Sequence, residues 1–218
     1  MTARELTPIL IFAAVAALLP LFVTAGTTLN FAVFTLIICL AAQGWNILGG
    51  YGGQYSFGHA AFFGTAAYAT AILQVRYGVN PYLGFGIGVA LAGVVGFVIG
   101  FFSFRSGLRG SYFALVTLAF AEVFRVIANA TEITGGAAGI LIKLDVRPAN
   151  FQFADRATFY WVALGLVTAV LVITRALERA RLGAQLVAVR ENENAARALG
   201  VDVLAVKLAA IALSAAIT

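Results

Sequence analysis

The chain has 218 residues, of which 62% are hydrophobic and 11% charged, with a mean hydropathy of +0.98 and a net charge of +5. Soluble domains average roughly 45–50% apolar and about 25% charged residues. So apolar a chain of this size cannot hide its surface in a soluble core, which excludes an ordinary globular domain, a disordered chain and a nucleic-acid binder. One cysteine, Cys39, excludes a disulfide framework, and one histidine with one cysteine argues against a metal centre of the His/Cys kind.

Hydrocarbon leaves backbone polar groups no solvent partner, so long apolar runs read as helices. About 20 such residues cross a bilayer. Seven runs qualify: Pro8–Ala25, Leu29–Leu48, Gly58–Val75, Tyr82–Phe104, Ser111–Ala130, Thr158–Thr174 and Val203–Thr218. The expected fold is therefore an all-α polytopic membrane bundle, one domain over residues 1–218. The first run follows Arg4 and ends at Ala25-Gly26, and reads as an uncleaved span rather than a signal peptide. The last run is still apolar at Thr218, so the chain reads as cut short within a seventh span.

The Lys/Arg bias orients such a bundle. With the N-terminus cytoplasmic, the inner segments carry Arg4, Arg105, Arg109, Arg175, Arg179, Arg181, Arg190 and Arg197. The outer segments carry only Arg76, Lys143, Arg147 and Arg156, while Arg125 and Lys207 fall within spans. Residues 131–157 then form a long external loop and 175–202 a large cytoplasmic one.

In chain order, the first feature with chemical interest is Gly49–Gly58, with five glycines in ten positions, among them Gly52 and Gly53, followed by Gln54 and Ser56. It reads either as a broken-helix segment lining a path or as a tight turn between packed helices. His59 follows it and reads as a helix-start histidine bonded to nearby backbone, with Ser56 a candidate N-cap; a proton relay is the sharper alternative. Gly84/Gly88 and Gly96/Gly100 are two GxxxG pairs suited to close helix packing. Glu122 and Arg125, three apart, pair on one helix face, either at the outer interface or on a cavity wall. Thr134-Gly135-Gly136 opens the external loop and suits a gate, a recognition element or a plain connector.

The segment 186–200 reads as one short amphipathic helix. Leu186, Val189, Ala196 and Leu199 fall near one face, Glu193 precedes Arg197 by four, and Gly200 supplies the stop. Such a helix suits docking into a groove of another protein.

Three stretches together resemble a known family: Leu108–Glu122, Thr134–Gly136 and Arg190–Gly200. With Gly49–His59 they are similar to the LivM-like permeases of branched-chain amino acid ABC importers, over most of the chain from Leu29 onward. The resemblance implies import of branched-chain or related small amino acids through the inner membrane, with urea or short amides carried by related systems. It implies a second homologous permease, two cytoplasmic ATPase subunits, and a periplasmic or lipid-anchored substrate-binding protein, all in membrane lipid, with no cofactor of its own. The spacing from Asn194-Ala195-Ala196 to Gly200 is similar to the coupling motif that contacts the ATPase, with Asn194 where that motif often has Glu. Arg190, Glu191, Glu193, Asn194, Ala195, Ala196, Arg197 and Gly200 are the expected coupling residues. Gly52, Gly53, Gln54, Ser56, His59, Glu122, Thr134, Gly135 and Gly136 are the candidate pathway or gating residues. No nucleophile–base pair or metal-binding motif supports an intramembrane enzyme; a non-transporting scaffold subunit is the other alternative.

Overall fold

The computed structural model describes residues 3–23 and 25–218, without the side chains of Ala3 and Arg4; Arg4, counted in the charge bias, is therefore not placed. The described residues form helices and no strand. In order these are α1 (Ala3–Ala17), α2 (Leu19–Phe22), α3 (Gly26–Asn46), α4 (His59–Tyr77), α5 (Pro81–Arg105), α6 (Gly110–Ala130), α7 (Arg156–Arg179), α8 (Arg181–Glu191), α9 (Glu193–Ala198) and α10 (Val203–Ile217).

All seven predicted runs are helical, with adjusted edges. Among the described residues, five helical stretches are long and apolar enough to cross a membrane: Glu5–Phe22, Gly26–Tyr51, Pro81–Arg105, Gly110–Ala130 and Arg156–Arg179. Helix α4 is long enough but carries many small and polar residues, and α10 has 15 residues. The first run breaks at Leu18, where Pro20 opens α2 and withholds a backbone donor. Helix α3 continues as a five-residue π-turn, Ile47–Tyr51, before the chain becomes extended.

The core lies around α10. Both glycine pairs of α5 serve helix packing, as expected. Gly84 and Gly88 admit α4: a Cβ on Gly88 would sit 2.7 Å from the Ala66 carbonyl oxygen. Gly96 and Gly100 admit α10: a Cβ on Gly96 would sit 2.5 Å from Ala215 Cβ and 3.0 Å from Ile211 O. A second cluster joins α3 and α7 through Val33, Leu36, Tyr160, Ala163, Leu164 and Val167. Helix α1 lies against α7, where Tyr160 Oη and Trp161 Nε1 donate to the carbonyls of Ala16 and Ala17 at 2.9 and 3.1 Å. Many large apolar side chains elsewhere stay exposed, including Phe31, Phe34, Leu83, Phe102, Tyr112 and Leu115, as hydrocarbon-facing positions would be.

Long-range polar contacts show which segments share an end of the bundle. Glu5 pairs with Arg179, Arg190 reaches Gly50 O, and Arg109 pairs with Glu193. The start of α1, the turn after α3, the α5–α6 turn and α8–α9 therefore lie together. At the other end Arg76 donates to Glu132 O, and Tyr82 Oη to Pro148 O. This grouping agrees with the alternation of spans assumed in the charge count.

Candidate functional site

The segment 186–200 is two helices, not one. Asn192 is extended (φ −159°, ψ 105°) and ends α8, and its side chain accepts from the amides of Asn194 and Ala195 at 3.0 and 3.1 Å. An asparagine cap followed by an acidic first turn starts a new helix here. Helix α8 buries Gly183, Leu186 and Val189, a stripe of every third residue facing the bundle. Gly200 ends α9 as expected: its φ is +83°, with Gly200 N–H donating to Arg197 O at 3.0 Å and Val201 N–H to Ala196 O at 3.1 Å. That is the paired closure of a left-handed cap.

Ala196 is buried with Leu186 and Val189, but Leu199 is 84% exposed and does not join their face. The turn at Gly200 swings it outward. Glu191, Asn194, Ala195, Arg197 and Gly200 are also exposed, so the tip of the segment is an open surface carrying one large apolar side chain.

Glu193 takes partners other than the predicted Arg197. One carboxylate oxygen lies 3.1 Å from Arg109 Nη2 in the α5–α6 turn, and the other pairs with Lys207 Nζ on α10. Lys207 is 4% exposed and lies 5.3 Å from the centre of the Phe104 ring. An ammonium so deeply placed needs a counter-charge, and Glu193 supplies it. A local spacing rule cannot see this, because tertiary contacts bring stronger partners than the next turn of the same helix. Sequence reading missed Lys207; its one signal was a lysine alone in an apolar run.

The glycine-rich segment is a buried irregular stretch rather than a tight turn. Ile47, Leu48, Gln54 and Ser56 are each at most 5% exposed. Trp45 Nε1 donates to Ser56 O at 2.9 Å, holding the extended chain against α3. Gly52 and Gly53 face α8. Gly53 has φ +64°, and a Cβ there would lie 2.5 Å from Arg190 Cγ. Arg190 Nη1 meanwhile donates to Gly50 O at 2.9 Å, while its other nitrogens bond Glu191. The segment thus touches α8 on one side and α3 on the other, and leads directly into α4.

Ser56 does not cap α4 by its side chain; Gly58 holds the cap position, and Ser56 Oγ accepts from Gly58 N–H at 3.2 Å. His59 Nε2 lies 2.9 Å from Ser214 Oγ on α10, and Ser214 donates onward to Gly44 O at 2.6 Å. The histidine thus has the nearby Ser56 backbone that was expected beside it and is also engaged by a distant helix, tying α4, α10 and α3 together.

The Glu122–Arg125 pair forms as predicted: Arg125 Nε donates to Glu122 Oε2 at 2.8 Å, within a two-bond clasp. Both side chains line a groove of about 750 Å³ between α4, α5 and α6. Thr134 also lines it, and its hydroxyl bonds the Thr131 carbonyl at 2.7 Å, closing the end of α6. Gly135 and Gly136 have φ of +80° and +58° and form the tight turn beyond; a Cβ on Gly135 would lie 2.1 Å from Gly139 O. Among the predicted pathway residues, Glu122 and Thr134 share this groove, while Gly52, Gly53, Gln54 and Ser56 belong to the segment between α3 and α4.

Residues 27–218 match the family model for the branched-chain amino acid transport system permease component. The high-affinity branched-chain amino acid transport system permease protein LivM of Escherichia coli (strain K12) is 35% identical over 221 residues, covering 90% of this chain and 51% of that protein. LivM of Salmonella typhimurium is 36% identical with the same coverage. A probable branched-chain amino acid transport permease protein LivM of Methanocaldococcus jannaschii is 28% identical over 162 residues, 72% of this chain and 47% of that protein. The chain spans about half the length of the curated relatives it matches. No solved structure matches it.

Proposed function

Because the chain belongs to the family of branched-chain amino acid transport permease components, we propose that it is the membrane-spanning permease of an ATP-driven importer of branched-chain or related small amino acids. Its partners in this reading are a second homologous permease, two cytoplasmic ATPase subunits and an external substrate-binding protein. ATP hydrolysis belongs to those partners. The bundle sits in the cytoplasmic membrane with its N-terminus inside.

The observation that carries the reading is the surface formed by α8 and α9. It lies at the end that also holds Arg105, Arg109, Arg175, Arg179, Arg181, Arg190 and Arg197, the basic bias of a cytoplasmic face. Its outer side is open and its inner side is bonded to the bundle through Glu193, to Lys207 and Arg109, and through Arg190, to Gly50 O. An ATPase that closes on nucleotide and grips the tip at Leu199 then pulls α10 through one link and the α3–α4 segment through the other. A ligand shifts such an equilibrium only by favouring one state, and nucleotide does so through the ATPase.

The test is uptake by the assembled importer in liposomes. Leu199→Glu places a charge in the proposed contact and leaves the fold alone, because exposed substitutions change stability by about 0.5 kcal/mol or less. Uptake is expected to fall at least about tenfold, the effect of about 1.4 kcal/mol in the contact. Uptake at the wild-type rate, with the ATPase still bound, overturns the assignment.

A further inference from the structure

We infer that Glu122 and Arg125 form the transient dock for the charged head of the transported amino acid, its ammonium on Glu122 and its carboxylate on Arg125. This rests on the permease reading above and deepens it. The two are the only charged side chains among the described residues lining the groove of about 750 Å³. Around them the walls are mainly apolar, with Ile72, Ile87, Leu91, Leu118 and Phe124, and the uncharged polar side chains are Thr65, Tyr68, Asn129 and Thr134. On the α4 side Gly64 lines the same groove with nothing within 4 Å of where its Cβ would stand, so that wall is recessed. One paired charge in an apolar trough is the complement of a zwitterion with an aliphatic side chain.

Both side chains are more than half exposed, at 58% and 62%, although α6 is long and apolar enough to cross a membrane. Charges that face hydrocarbon are costly, so this face of α6 lies against water or protein. The pair also solves an electrostatic problem. Empty, Glu122 and Arg125 neutralise each other. Loaded, each pairs with the opposite end of the zwitterion. The groove is neutral in both states, so substrate entry adds no net charge to a low-dielectric region. An exposed ion pair contributes little to folding, so its members are free to exchange partners. An amine or a carboxylate alone leaves one member unmatched, which is the source of discrimination.

The experiment uses the assembled importer in liposomes and a diazirine analogue of leucine with its amino acid head intact. Photolabel is expected on the α4 and α6 peptides that line the groove. Excess L-leucine should remove it, and 3-methylbutylamine or 4-methylpentanoate at the same concentration should not. Glu122→Gln combined with Arg125→Gln keeps a hydrogen-bonded pair one turn apart. That variant should lose uptake at least about tenfold while the binding protein still stimulates its ATPase. Label confined to other helices, label removed equally by the amine or the carboxylate, or uptake by the double variant at the wild-type rate overturns the dock. So does crosslinking that shows the groove filled by the second permease throughout turnover. In those cases wild-type uptake persists and the permease reading stands. Failure of the wild-type chain to support uptake at all is a failure of that reading instead.

Discussion

Replacing Glu193 by glutamine is expected to destabilise the folded chain by about 3–5 kcal/mol, the cost of stripping a buried charge of its partner. Lys207 is the charge left behind, 4% exposed and packed on Phe104. Arg109 loses its partner too, but its side chain is 54% exposed and water compensates it. The double variant Glu193→Gln, Lys207→Met removes the stranded charge and should recover most of the loss, since a buried ion pair exchanged for apolar packing is often neutral. Thermal unfolding of the purified protein in detergent measures both. A single variant within about 1 kcal/mol of wild type, or a double variant no better than the single, refutes the linkage between α9 and α10.

Gly96→Leu should be strongly damaging within the spans. Its Cβ meets Ala215 Cβ at 2.5 Å and the backbone oxygen of Ile211 at 3.0 Å, both fixed by the course of α10. Neither atom can rotate away, so the helices must separate, at a cost of about 3 kcal/mol, the upper end of the overpacking range. Gly86→Leu on the same helix is the matched control, because nothing lies within 4 Å of its Cβ position. It should fall within about 1 kcal/mol of wild type. Equal damage at both positions would mean that α5 and α10 do not pack through this glycine face. The same melting measurement decides the matter.

The helices were legible because a bilayer permits little else. An apolar run of span length has one outcome, and the small residues four apart on α5 serve close approach to α4 and α10. Chemistry within α8 and α9 was legible in part. Gly200 could be read as a stop because only the left-handed region closes the helix there. The break at Asn192 was hidden beneath an unbroken amphipathic pattern, although a capping asparagine before an acidic residue was the available signal. Leu199 belongs to that pattern in one dimension and leaves it in three, because the turn at Gly200 redirects the last residue of α9. Glu193 was read as a neighbour of Arg197 by local spacing. Its actual partners, Arg109 and Lys207, come from other helices and no local period encodes them. His59 is a similar case in its contact with Ser214, which comes from α10 and which no local period encodes. The π-turn at Ile47–Tyr51 has no sequence signature beyond adjacent glycines, and what stabilises the buried stretch after it is a contact with Trp45 and with α8.

In the proposed importer, α8 and α9 present the seat of a cytoplasmic ATPase. The direct measurement places a single cysteine there, Leu199→Cys in a Cys39→Ser background, since Cys39 is free and exposed. Membrane vesicles of both orientations are treated with a membrane-impermeant maleimide, with and without bound ATPase subunits. The expected result is labelling only where the cytoplasmic face is outward, and protection when the ATPase is bound. Labelling from the external face, or labelling indifferent to the ATPase, would show that the ATPase does not sit there.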